Sequence, residues 1–182
     1  TLVGGLAGDA LTDSDQNVAV GVNALTSDTL GSDSVAVGAA ALLAQNFTTA
    51  TQSFNTAVGR AAGAEVTTGI YNTLIGGLAG DSLTVGTSNV AVGKGALSAD
   101  TKGDTSVAIG VSALGAQNFT TATNTFNTAV GYEAGVAVTT GVNNTLIGGL
   151  AGDAITASND NVAVGTAAMT TNTMSSENVA IG

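Results

Sequence analysis

The pentapeptide Asn55-Thr56-Ala57-Val58-Gly59 recurs, with small substitutions, from one end of the chain to the other. Its copies close on Gly4, Gly21, Gly38, Gly59, Gly76, Gly93, Gly110, Gly131, Gly148, Gly165 and Gly182, at spacings of 17, 17, 21, 17, 17, 17, 21, 17, 17 and 17 residues. A unit of 17 residues is therefore nested in a super-repeat of 72. A fixed period this short implies stacked units, each of which can bury its apolar side only against its neighbours. The reading is a single repeat region over residues 1–182. It begins inside one unit and ends on the close of another, like an excerpt of a longer fibre.

We number the unit so that Asn55 is position 1 and Gly59 position 5. Position 1 is Asn or Ser, position 2 is Val or Thr, and position 4 is Val or Ile in every complete copy. Such β-branched residues stiffen the chain in the extended region and predict a short strand. Gly at position 5 permits a bend, and an unvarying Ala at position 8 implies a slot that admits one methyl group. Position 13 is Thr in every complete 17-residue unit, followed two residues later by Gly or Ser, which predicts a second strand and a turn back to the next Asn. Helix is excluded by the regular Gly, the β-branched runs and the lack of a 3.6-residue apolar stripe. Two short strands and two turns per unit make one coil of an all-β, parallel β-solenoid.

The units fall into two classes. Where position 2 is Thr, position 9 is Gly and position 12 is apolar, as in Thr73, Gly80 and Leu83. Where position 2 is Val, position 9 is large and position 12 is polar, as in Val90, Leu97 and Asp100. Interiors are close-packed, so one core slot is filled from position 9 or from position 12 and never from both. Position 3, Ala or Leu, alternates with positions 2 and 4, so the first strand is apolar on both faces. One coil covers only one of them. The small residues Ala57, Ala91, Ala108 and Ala129 are therefore expected at a contact with a second chain.

Composition excludes several functions. Only three residues are basic against thirteen acidic, giving a net charge of −10, which cannot form a nucleic-acid phosphate footprint. The longest apolar run, from Ala39 to Ala44, is far below the 18 or so residues that cross a bilayer, so no membrane insertion is expected of this segment. With no His and no Cys there is no standard triad or thiol nucleophile, and the paired Asp13 and Asp15 read as a solvated turn. The expectation is a protein that is neither an enzyme nor the carrier of a cofactor.

The repeats themselves resemble a known family. Ser106-Val107-Ala108-Ile109-Gly110 with Ala113, and Asn89-Val90-Ala91-Val92-Gly93 with Ala96, look like the YadA-like head repeats of trimeric autotransporter adhesins. Asn127-Thr128-Ala129-Val130-Gly131-Tyr132-Glu133-Ala134-Gly135 is similar to related repeats of phage tail fibres and other bacterial fibres. The resemblance implies a left-handed parallel β-roll, a homotrimer with one strand of each coil facing the threefold axis, and an extracellular location on a cell-surface or virion fibre. It also implies a structural or adhesive role, with a surface glycan or protein as receptor. The units here are longer than the shortest adhesin-head coils, and the four-residue insertion in every fourth coil is a departure from them.

A few residues invite sharper readings. Asp9, Asp81 and Asp153 recur within Gly-Gly-Leu-Ala-Gly-Asp and are the metal candidates, but one carboxylate per four coils falls short of the six to eight oxygens calcium takes. Asn46, Asn118 and Asn143 head glycosylation acceptor triplets. The position-1 Asn residues either stack into an amide ladder or simply open a strand after a turn. An ice-binding solenoid would need a flat Thr array, whereas position 13 supplies a single column. The two long coils, Ser34–Phe54 and Ser106–Phe126, hold all four Phe residues: Phe47, Phe54, Phe119 and Phe126. These either anchor each insertion against its own coil or a neighbouring protomer, or form aromatic platforms for a sugar or a lateral partner.

Overall fold

In a computed structural model describing all residues, Thr1–Gly182, the chain is all-β, contains no helix, and climbs as a parallel solenoid of about eleven coils. Positions 2–4 of successive units form one eleven-stranded sheet. Its strands are Leu2–Val3, Val18–Val20, Val35–Val37, Thr56–Val58, Thr73–Ile75, Val90–Val92, Val107–Ile109, Thr128–Val130, Thr145–Ile147, Val162–Val164 and Val179–Ile181. Pairing is parallel and in register, so that Ala36 meets Ala57, Ala57 meets Leu74 and Leu74 meets Ala91. The long coils do not disturb this register, because their extra residues leave the sheet before rejoining it. With no helix, nothing here is a helical span long and apolar enough to cross a membrane.

Away from the long coils and their predecessors the second predicted strand is absent, which corrects the two-strand reading of the ordinary unit. In an ordinary coil position 13 makes a single backbone rung: the Thr67 N–H donates to the Thr84 carbonyl, and the Thr84 N–H to that of Thr101. The Thr hydroxyl donates to the same carbonyl, at 3.0 Å from Thr67 and 2.9 Å from Thr84. A column of one residue per coil is a ladder, but it is too narrow to be a strand. Two-stranded sheets form on this side only where a long coil meets its predecessor, Gly31–Ser32 with Thr51–Gln52 and Gly103–Asp104 with Thr123–Asn124.

Each coil turns through three residues in the left-handed region, at positions 7, 9 and 17, and most of them are not glycine. Ala61, Leu97 and Ser88 are examples, at φ of 55°, 54° and 59°. A left-handed non-glycine residue costs roughly 1–2 kcal/mol. The compensation is local. In the inner coils, apart from Phe54 and Phe126, the corner N–H groups point along the solenoid and bond to the adjacent coil, as in Ala61 to Ala39, Leu97 to Ala113 and Ser88 to Ile70. Such a bond returns about 1 kcal/mol and spares a polar group from burial without a partner.

The core is one continuous column. Position 3 and position 8 side chains are buried along it, joined by Leu25, Leu42, Leu97 and Leu114 from position 9 or Val66, Leu83, Val138 and Ile155 from position 12. The exchange predicted from sequence is visible in the clearances. A β-carbon on Gly80 would lie 2.9 Å from Leu83 Cδ1 and 2.8 Å from Leu74 Cδ2; on Gly63 it would lie 3.2 Å from Val66 Cγ2 and 2.7 Å from Leu74 Cδ1. Gly80→Leu is thus expected to cost about 1–3 kcal/mol by overpacking, and Leu83→Asn to cost comparably by emptying the slot. The double variant should lose much less than the sum, with a coupling energy of about 1–3 kcal/mol in a thermal or denaturant double-mutant cycle.

Candidate functional site

The feature with the most functional content is the outer surface of the eleven-stranded sheet. Because positions 2 and 4 point away from the core, it carries Val, Ile and Thr only, with no charged residue at any of its 22 positions. Val58, Ile75, Ile109 and Ile147 are all exposed on it. Adjacent strands lie about 4.8 Å apart, so the face runs for roughly 50 Å. A contiguous uncharged surface of this length is a candidate interaction site.

This geometry corrects the expected interface residues. Ala57, Ala91, Ala108 and Ala129 are fully buried inside their own coil and meet no outer surface. The strand alternates as its sequence implies, but it is position 3, and not positions 2 and 4, that faces the core. Position 3 turns inward because the interior also holds the position-8 methyl and a Leu, Val or Ile from position 9 or 12, which leaves room for Ala in most coils. The larger β-branched residues are left outside.

The long coils divide their Phe residues into two kinds. Phe47 and Phe119 are only 6% and 7% exposed and anchor the insertions, as one of the two sequence readings requires. Their backbone N–H groups donate to Asp28 and Asp100 Oδ1, each at 3.1 Å. Phe54 and Phe126 are 46% and 58% exposed and end the long coils in the left-handed region, at φ of 48° and 49°. Phe54 stacks on Tyr71 of the next coil, with centroids 5.8 Å apart and planes at 9°. Tyr71 and Tyr132, both exposed aromatics, had no part in the sequence reading of the site; their columns, one before and one after the strand, were the available signal.

Beneath each insertion lies a buried polar network. The Asp28 carboxylate accepts from the Gly31 N–H at 3.1 Å and from Gln45 Nε2 at 2.6 Å, in addition to the Phe47 N–H. Gln45 Nε2 also donates to Ser34 Oγ at 2.8 Å, Gln45 Oε1 accepts from Asn55 Nδ2 at 2.8 Å, and Ser34 pairs with Ser53. Asp100, Gln117, Ser106, Thr125 and Asn127 repeat the arrangement. The network holds the long coil in place with its polar atoms satisfied, and offers no open coordination.

The position-1 column resolves into a ladder. Asn72 Oδ1 accepts the Asn89 N–H at 3.0 Å, while Asn72 Nδ2 donates to the Gly86 carbonyl at 2.9 Å. The same pair of bonds recurs at Asn55 and Asn89. Ser replaces Asn only in the long coils, where the Gln45 or Gln117 amide enters the column instead.

The acidic candidates are not brought together. Asp9, Asp81 and Asp153 stand four coils apart, and no three metal-binding side chains cluster anywhere in the chain. Asp81 Oδ1 and Asp153 Oδ1 have no hydrogen-bond partner. Burial pushes the Asp81 carboxyl above its ordinary range; a backbone hydrogen bond opposes this, and the charge of Glu65 in the preceding coil adds to it. The folded state therefore holds this proton more tightly than the unfolded chain, and stability falls as pH rises through the carboxylate range. Asp81→Asn should raise the melting temperature at pH 7, with the gain vanishing once both states are protonated in acid.

The glycosylation candidates are all exposed. Asn46 Oδ1 and Asn118 Oδ1 accept from Thr29 and Thr101 at 3.0 Å, and Asn143 Nδ2 donates to Asp160 at 2.9 Å. The one cavity, about 250 Å³, is the mouth of the first coil beside Leu2 and Leu11. No family model matches the chain, and neither a curated protein nor a solved structure matches it.

Proposed function

We propose that this chain is a structural and adhesive segment of an extracellular fibre, assembled as a parallel homotrimer of left-handed coils around the outer face of its long sheet. The observation that carries the reading is that uncharged Val/Ile/Thr face, eleven strands long and without a partner in the single chain. Three extended residues make the face about 10 Å wide, so it offers roughly 500 Å² per copy, shared between two neighbours in a ring. Each contact is smaller than the ~800 Å² per partner of a standard interface and draws on the columns beside the face. The Thr column at position 13 spends its hydroxyls on the next coil's carbonyls, so it supports a structural role better than an ice-binding one. The adhesive role follows from the resemblance of the repeats, and a phage fibre shaft would use the same architecture.

The test is assembly. Light scattering on the native chain should give a trimer. Ile109→Lys puts an ammonium group into the middle of the face and should yield monomers that retain the β circular dichroism of the native chain. A folded monomer at native sequence would overturn the assembly, and trimers that bind no cell or glycan surface would remove the adhesive part alone.

A further inference from the structure

Three Asn-x-Thr triplets stand in the sequence, headed by Asn46, Asn118 and Asn143, and as triplets they are equivalent. The fold separates them. A sugar joined to such a triplet needs a side-chain nitrogen with no other partner, and open space for a bulky substituent.

Asn143 fails on both counts. Its Nδ2 donates to Asp160 Oδ1 at 2.9 Å, and its backbone is held in the left-handed region, at φ of 59°, with the N–H bonded to the Thr125 carbonyl at 2.8 Å. Asn144 is fully buried in the amide ladder, and Thr145 already belongs to the strand Thr145–Ile147. The triplet therefore borders the apolar face and cannot leave the coil without breaking the sheet.

Asn46 and Asn118 meet both conditions. Their Oδ1 atoms accept from Thr29 and Thr101, which orients each amide and leaves Nδ2 without a partner in the chain. Phe47 and Phe119 are buried between exposed neighbours, so Asn46 with Thr48, and Asn118 with Thr120, stand together on the outer side. From Thr48 to Ala50 and from Thr120 to Ala122 no backbone N–H is bonded within the chain, so an enzyme can draw this stretch outward at little cost. The wall is also the right one. Leu83 of position 12 and Leu74 of the strand meet over Gly80 in the core, so the neighbouring position-13 column, with Asn46 and Asn118, lies across the core from the apolar face. A glycan there points to solvent in a single chain, and equally in an assembly made through the sheet.

We propose that Asn46 and Asn118, and not Asn143, are acceptors of N-linked sugar from a donor activated on a diphosphate. Nδ2 attacks the anomeric carbon, and the new C–N bond forms as the bond from that carbon to the phosphate oxygen breaks. The diphosphate leaves with the electron pair, and one amide proton passes to the transferase. The result is two glycans four coils apart, about 19 Å, along the back of the solenoid.

The purified, folded chain is offered to a soluble N-glycosyltransferase with a nucleotide-linked hexose, and separately to a detergent-solubilised oligosaccharyltransferase with a lipid-linked donor. An unstructured Asn-x-Thr peptide labelled in parallel shows that each enzyme is active. Peptide mass mapping should find sugar on Asn46 and Asn118 in at least one arm, and the arm that responds identifies the donor. Asn46→Gln and Asn118→Gln should each remove one glycan. Thr48→Ala should remove the glycan at Asn46 while leaving that asparagine in place, with the β circular dichroism unchanged. Sugar on Asn143 at an occupancy comparable to Asn46, or none on Asn46 and Asn118 in either arm, would overturn the assignment.

Discussion

Gly93→Ala is expected to break the solenoid in the middle. Gly93 has φ of 133°, and a β-carbon there would lie 2.5 Å from the carbonyl oxygen of Gly110 and 2.6 Å from its carbon. The obstacle is backbone, which no rotamer change relieves, and Gly110 is held in turn by its own bond to Val92. Backbone strain of about 1–3 kcal/mol and overpacking of about 1–3 kcal/mol give a loss of roughly 2–6 kcal/mol. Stability in a stacked array is a sum over units and their interfaces, so the damage concentrates at one junction. Hydrogen exchange should show the amides of coils on either side of Gly93 losing protection, with those near Ala36 and Leu146 less affected. A variant that melts like the native chain would show that the stacked glycines are not closely packed.

Asn72→Ala is expected to have the next largest effect, through polar groups and not sterics. It removes the acceptor of the Asn89 N–H and the donor to the Gly86 carbonyl, leaving both without their partner beside a fully buried residue. Each orphaned group costs about 1–3 kcal/mol, so the loss should reach roughly 2–6 kcal/mol in denaturant unfolding. Asn72→Ser should rescue little. Ser serves at positions 34 and 106 because Gln45 and Gln117 reach into the column there, whereas the equivalent residue of this coil is Leu83. Full stability in Asn72→Ser would mean that the amide is dispensable and that Gln45 and Gln117 serve only the insertions.

Much of the coil was legible in the sequence because its constraints are local and repeat. The glycine column and the single-methyl slot at position 8 need only one unit and its neighbour to be understood. The exchange between positions 9 and 12 could be read because two classes of coil solve one packing problem in opposite ways. The clearances at Gly63 and Gly80 are that problem in space.

Three features were decided only by the tertiary structure. A strand alternates its side chains, but alternation does not say which side is inside when both are small and apolar; the Leu, Val and Ile arriving from positions 9 and 12 sent Ala57 and Ala91 inward and left Val58 and Val92 at the surface. Thr at position 13 has the propensity for a strand, yet forms a one-residue rung: where the next residue bonds as well, as the Thr68 N–H does, it donates to the same Thr84 carbonyl and adds no second rung. Phe47 and Phe54 are chemically identical and seven residues apart in one long coil. One is enclosed above the Asp28–Gln45 network and the other stands on the edge of the apolar face, a distinction set by where the insertion rejoins the sheet. Composition and period determine that such a chain coils; the direction each side chain takes is settled only when one coil closes on the next.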